Sequence, residues 1–179
     1  MKKTKTSAYT PPRLHHIHQT WRSLSRNIRT TPITPWDTTN KNKWLGNSTK
    51  VICKLECLQH TGTFKVRAAL HIVEQLSSKQ KKQGIVTISA GNHAIATAYA
   101  ARKYGTHAKV VVPSMANPYR IAQCKTYGAE IILTGKTLDE SKLTVERLMN
   151  ENGFQLVHPF DDPHIITGQG TIGLEIMDE

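Results

Sequence analysis

The feature that most restricts the fold of this chain is a regular alternation of short apolar runs with helical patterns, each helix stopped by a glycine or proline. Residues 85–88 (Ile-Val-Thr-Ile) are followed by an alanine-rich helical pattern over 94–104 that stops at Gly105. Residues 110–112 form the next apolar run, ended by Pro113. Asn117-Pro118 then opens a helix in the favoured order of cap and proline, and Gly128 closes it. Residues 131–133 are apolar again, Thr137-x-x-Glu140 has the form of a capping box for a helix to Asn150, and 154–157 is a last run. Apolar runs of three or four residues without polar alternation are typical of strands covered on both faces. Strand and helix in strict alternation give a parallel sheet, because parallel strands need a crossover. The expected fold is α/β: three layers, a largely parallel sheet, and helices on both faces.

Upstream, residues 51–58 read as a strand with Val51, Cys53, Leu55 and Cys57 on one face. The chain then turns through Gly62 into a helix whose apolar stripe is Phe64, Ala68, Ile72 and Leu76. The polar run 77–83 ends that helix and Gly84 closes it. Residues 30–48, rich in Thr, Pro, Asn and Gly, read as loop. Near the end, Gly168-Gln169-Gly170-Thr171 reads as a turn into a last short helix, 172–177.

Lys65 stands in the first turn of its helix. A free lysine amine, with a pKa of about 10.4, is almost wholly protonated at neutral pH. The partial positive charge of a helix N-terminus disfavours the ammonium, and partial burial pushes the same way. A lysine so placed is suited to condense with a carbonyl. The second candidate is the turn Ser89-Ala90-Gly91-Asn92-His93. It follows a strand and opens a helix, so its backbone N–H groups suit a carboxylate, and Asn92 can donate to a phenolate or carbonyl oxygen. In an open parallel sheet, ligands lie beyond the carboxyl ends of the strands. Were the two preceding strands neighbours, both features would face one crevice.

The run Thr61-Gly62-Thr63-Phe64-Lys65-Val66-Arg67 resembles the Ser-Phe-Lys-x-Arg signature of fold-type-II pyridoxal phosphate enzymes, in the branch of threonine/serine dehydratases (ammonia-lyases) and serine racemases. Ser89-Ala90-Gly91-Asn92-His93-Ala94 resembles the asparagine loop of that family, and His158-Pro159-Phe160-Asp161-Asp162-Pro163 and Gly168-Gln169-Gly170-Thr171 are also similar to family segments. The resemblance spans residues 30–176. It implies that Lys65 holds pyridoxal 5'-phosphate covalently, that Phe64 lines the cofactor pocket and Asn92 meets the ring oxygen. It also implies that Ser89, Ala90, Gly91, Asn92 and His93 grip the substrate carboxylate. Three positions depart from the pattern: Thr63 for serine, Ala68 for glycine and Ile95 for glutamine. Racemases of this family carry a serine just before the Gly-Asn of the loop. Ala90 cannot transfer a proton, which favours a dehydratase giving a 2-oxo acid and ammonia over a racemase. The family's glycine-rich phosphate loop and its pyridine-nitrogen contact belong to a C-terminal half that does not occur here. The expectation is therefore an N-terminal portion of such an enzyme, weak or inactive alone, or a non-catalytic binding subunit. The expected partners are an amino-acid substrate and a homo-oligomer or completing subunit.

The chain has 179 residues and a net charge of +11. The excess is concentrated early: no acid precedes Asp37, while Lys2, Lys3, Lys5, Arg13, Arg22, Arg26 and Arg29 are basic. No nucleic-acid motif accompanies that charge, and neither nucleic acid nor membrane is expected as partner. Residues 1–29 are expected as a basic arm, 1–12 as a loose tail, with an amphipathic helix over 14–28 built on Leu14, Ile17, Trp21, Leu24 and Ile28. The rest, 30–179, is the catalytic portion, with a small domain over roughly 85–160. Three cysteines give no disulfide framework, no metal site is expected, and a reducing compartment is implied. The expected location is the cytoplasm, or the mitochondrion if the basic N-terminus is a transit segment.

Overall fold

The computed structural model describes residues 11–36 and 49–178. The tail 1–10 and residues 37–48, most of the expected loop, lie outside the described residues. Helix α1 (Leu14–Leu24) is followed by strand β1 (Ile33–Pro35) and strand β2 (Ile52–Lys54). A 3-10 turn (Glu56–Leu58) leads to α2 (Lys65–Gln75) and α3 (Ser78–Gln83). The alternating region follows: β3 (Ile85–Ile88), α4 (Asn92–Lys103), β4 (Ala108–Val112), α5 (Pro118–Thr126), β5 (Glu130–Leu133), α6 (Leu138–Asn152) and β6 (Gln155–Leu156). Helix α7 (Pro163–Asp178) comes last.

The alternating region forms the parallel sheet, in the order β5-β4-β3-β6. Ile85 pairs with Ala108, and Lys109 with Glu130. Because side chains alternate along a strand, each strand feeds two cores. Ile85, Val110 and Val112 pack with the alanines of α4 and with Cys124 of α5. Val86 and Val111 pack on the opposite face with Val145 and Leu148 of α6 and with Phe154. Helices therefore cover both faces, as expected. The alanines of α4 have a packing reason: the helix is squeezed between the sheet and α2, and Ala94, Ala96, Ala98 and Ala100 are all buried.

Four local expectations are corrected. The strand expected over 51–58 is only Ile52–Lys54 and belongs to a separate antiparallel pair with β1. Its partner is three residues long, and beyond the Ile33–Lys54 pair comes Pro32, which has no N–H to extend the ladder. Cys57 accordingly lies in the 3-10 turn, not on a strand face. Residues 77–83 do not merely end α2. The Ser77 hydroxyl accepts from the Gln80 N–H, while Gln80 Oε1 accepts from the Ser77 N–H at 2.9 Å, and this capping box starts α3. Gly168-Gln169-Gly170 is not a turn: α7 runs straight through it. A Cβ on Gly168 would lie 2.5 Å from Ala68 Cα, and one on Gly170 would lie 2.9 Å from Ile17 Cδ1. These glycines let α7 pack closely against α2 and α1. The extra methyl of Ala68 is accommodated because the residue facing it has none.

At the N-terminus, Leu24 and Ile28 are buried and Ile17 meets α7, so α1 packs into the fold. Leu14 does not join that stripe; it is exposed.

Candidate active site

Lys65 opens α2 after a turn at Gly62, whose φ of 68° is a left-handed conformation that glycine adopts without strain. Its side chain is half-buried and Nζ donates to the carbonyl of Pro159 at 2.8 Å. Nζ also lies 5.4 Å from the centre of the Phe64 ring, itself partly exposed. Burial pushes the amine below the ordinary lysine range. Among the described residues no carboxylate opposes that shift: the amine's hydrogen-bond acceptor is a neutral carbonyl.

The turn 89–93 follows β3 as anticipated. The Ser89 hydroxyl accepts from the Gly91 N–H at 3.1 Å and rounds the backbone into α4. Helix α4 has no side-chain cap and no acid in its first turn, whereas Ser77, Asn117 and Thr137 cap α3, α5 and α6. The first-turn amides of α4 thus keep unused capacity for an anion. Asn92 is exposed, and its Oδ1 accepts from Arg120 Nη1 on α5. A guanidinium can only donate, so this contact assigns the amide oxygen to Arg120 and leaves the Asn92 NH2 to face outward as a donor. Ala90 is half-buried beside a small cavity that Arg120, Ile121 and Cys124 also line. The side chain of His93 points away from solvent and meets Val157.

Lys65 and the 89–93 turn are brought together differently from the expectation. The strands before them belong to different sheets. What joins them is the packing of α2 on α4 and the segment after β6: His93 reaches Val157 O, and two residues later Pro159 O holds Lys65. Sequence reading marked the segment around Pro159 but not the role of its carbonyl, and it missed Arg120. A backbone carbonyl has no sequence signature, and an arginine within a helix carries no sign of which loop it will reach.

Two residues beyond Lys65, Arg67 is fully buried. Its Nε and Nη2 donate to the two oxygens of Glu56 at 2.8 and 2.7 Å, and Nη1 donates to Glu175 Oε1 at 2.7 Å. Lys54 Nζ lies 2.8 Å from the other Glu175 oxygen. The quartet is balanced, with two cations and two anions. Burial alone would raise the Glu175 carboxyl, but hydrogen bonds and charge from Arg67 and Lys54 outweigh it and hold the group below the usual carboxylate range.

An α/β domain that presents a half-buried lysine beside an uncapped helix N-terminus has the outline of an enzyme that works through a lysine-bound carbonyl cofactor. The comparisons name the family. Residues 24–179 match the pyridoxal-phosphate dependent enzyme family, and the chain belongs to it. It is 41% identical over 166 residues to a catabolic L-threonine dehydratase of Staphylococcus aureus (strain USA300), an alignment covering 93% of this chain and 47% of that protein. Among solved structures it is similar to maize serine racemase (TM-score 0.86, 30% identity, 95% of this chain and 50% of that one). It is also similar to a threonine deaminase from T.th. (TM-score 0.81, 36% identity, 93% and 51%). The chain spans about half the length of the relatives it matches.

The side chains fit one end of pyridoxal 5'-phosphate. Lys65 offers an amine biased toward its neutral form, Phe64 offers an aromatic face next to it, and Asn92 offers an oriented donor for an anionic oxygen.

Proposed function

We propose that this chain is the lysine-bearing portion of a threonine/serine ammonia-lyase that uses pyridoxal 5'-phosphate. The observation that carries the reading is the state of Lys65: half-buried, shifted toward neutrality, and resting on a carbonyl rather than on a carboxylate. When bound, the cofactor supplies an electron sink for charge released at the substrate α-carbon. Lys65 would hold it through its amine, with Phe64 against its ring and the Asn92 amide at its ring oxygen. The first-turn amides of α4, with Ser89, Ala90, Gly91 and His93 shaping the turn, bind the substrate carboxylate. Once the substrate's own amino group takes the place of Lys65, the freed amine would be the general base for the substrate α-proton. Departure of the β-hydroxyl and hydrolysis then turn threonine into 2-oxobutanoate and ammonia, or serine into pyruvate and ammonia. Ala90 offers no second proton-transfer group on the far side of the substrate, which supports elimination over racemisation.

The proposal includes weak or no turnover by these 179 residues on their own, since they span about half the length of their relatives, with a homo-oligomer or completing subunit as partner and the cytoplasm as location. Among the described residues no helix is long and apolar enough to cross a membrane. The test is to mix the purified chain with pyridoxal 5'-phosphate, reduce with borohydride and map modified lysines by mass spectrometry. Label confined to Lys65 and lost in Lys65→Ala is expected. Label scattered over surface lysines would defeat the reading. D-serine formation from L-serine would instead favour a racemase.

A further inference from the structure

His93 sits beside Asn92 at the start of α4, yet its ring is 3% exposed and is turned into the protein. Its Nε2 lies 3.0 Å from the Val157 carbonyl. A carbonyl can only accept, so Nε2 carries the hydrogen and the ring donates. Nδ1 then holds the lone pair, and it has no partner among the described residues. The same Val157 oxygen accepts from Thr87 Oγ1 at 2.8 Å, and the Val157 N–H donates to Val86 O at 2.9 Å. The root of the segment leaving β6 is therefore pinned on three sides. Beyond it, His158 Nδ1 accepts from the N–H groups of Phe160 and Asp161 at 3.2 and 2.9 Å, closing a tight turn. Pro159 lies inside that turn, and its carbonyl is the resting place of the Lys65 amine.

We propose that His93 is a positioning residue: through Val157 it fixes the Pro159 carbonyl, and so sets where the Lys65 amine rests relative to the Asn92 turn. The role rests on the reading of Lys65 as the cofactor-bearing amine but assigns the histidine side chain a task other than substrate contact. It also accounts for the residue type. Burial lowers the imidazole to about 4, with the nearby charges of Lys65 and His158 acting in the same direction and the Val157 contact opposing them. His93 thus donates without bringing a second positive charge toward an amine that must shed its own. A glutamine is the other neutral donor of similar reach.

The test uses the 179-residue chain, and its first readout needs no cofactor. Lysines are dimethylated with carbon-13 formaldehyde and a reductant, the Lys65 resonance is assigned by its absence in Lys65→Arg, and each lysine is titrated by NMR. In the wild type, Lys65 is expected to titrate below the surface lysines. In His93→Leu that displacement is expected to vanish as the amine swings into water, and trapping of pyridoxal 5'-phosphate at Lys65 should fall about fivefold, the value of one lost neutral hydrogen bond. His93→Gln should restore both, and Thr87→Val, which leaves the histidine donor in place, should keep the displacement. An unshifted Lys65 in the wild type, an unchanged Lys65 in His93→Leu, or a folded His93→Gln that fails to rescue would each overturn the proposal. A displaced, His93-dependent Lys65 that traps no cofactor would sustain it while defeating the functional reading.

Discussion

Lys65 and Arg67 are two residues apart on one helix and both are cations, yet their surroundings are opposite. Arg67 is sealed, and Glu56, Glu175 and the Thr171 hydroxyl accept from its guanidinium. Lys65 is half open and meets a single carbonyl. The first environment stabilises charge and the second withholds that stabilisation. An arginine cannot be deprotonated in a protein, so carboxylates around Arg67 cost nothing in reactivity. The same carboxylates beside Lys65 would hold its proton in place and remove it as a nucleophile. One helix therefore separates a cation that holds the fold from the one proposed to do chemistry by a rotation of two residues, about 200° around the helix axis.

The sharpest way to break this contrast is Arg67→Met. It takes the guanidinium from Glu56, leaves Glu175 to Lys54, and a loss of about 3–5 kcal/mol of stability is expected in urea unfolding. A variant as stable as wild type would mean that the quartet is not structural. Gly168→Ala comes next. Its new methyl meets the Ala68 backbone rather than a flexible side chain, and a cost of about 1–3 kcal/mol is expected. Acid should act on the fold through separate windows. His71 and His93 are lowered to about 4, chiefly by burial, and His71 is packed near His164, Glu74 and Asp162. The unfolded chain takes up protons on these rings near pH 6.5 and the folded chain only near 4. Their contribution is therefore complete above about pH 6.5 and is lost as the pH falls toward 4. Glu175, held low, contributes above its unfolded value of roughly 4.3 and loses that only as the pH drops further. Urea midpoints from pH 8 down to about pH 2 would show the two windows, and His71→Gln should flatten only the upper one. The smallest effect is expected for Lys65→Met, a change within roughly 0.5 kcal/mol. A large loss there would merge the two cations into one structural role.

Much of this was legible from local pattern. The strands β3 to β5 and the helices between them follow from apolar runs and from caps such as Asn117 and Gly128, all of which act within a few residues. Lys65 and the 89–93 turn were visible because their motifs are contiguous. What the sequence hid was decided at a distance. Gly168 looks like a turn residue, but its partner is Ala68, a hundred positions earlier. The strand expected over 51–58 is cut short by its pairing with β1. The carbonyl under Lys65 belongs to Pro159, a residue whose side chain carries none of the chemistry.

The buried quartet also puts the chain on a clock. Arg67 and Glu175 are 108 positions apart. At a synthesis rate of about 5–20 residues per second, roughly 5–20 s pass between the making of one and the other. Through that interval the guanidinium lacks one of its two carboxylates, and α2 cannot be sealed without burying excess charge. The nascent chain must wait with the helix that bears Lys65 still wet, and that amine settles into place only after α7 has been made.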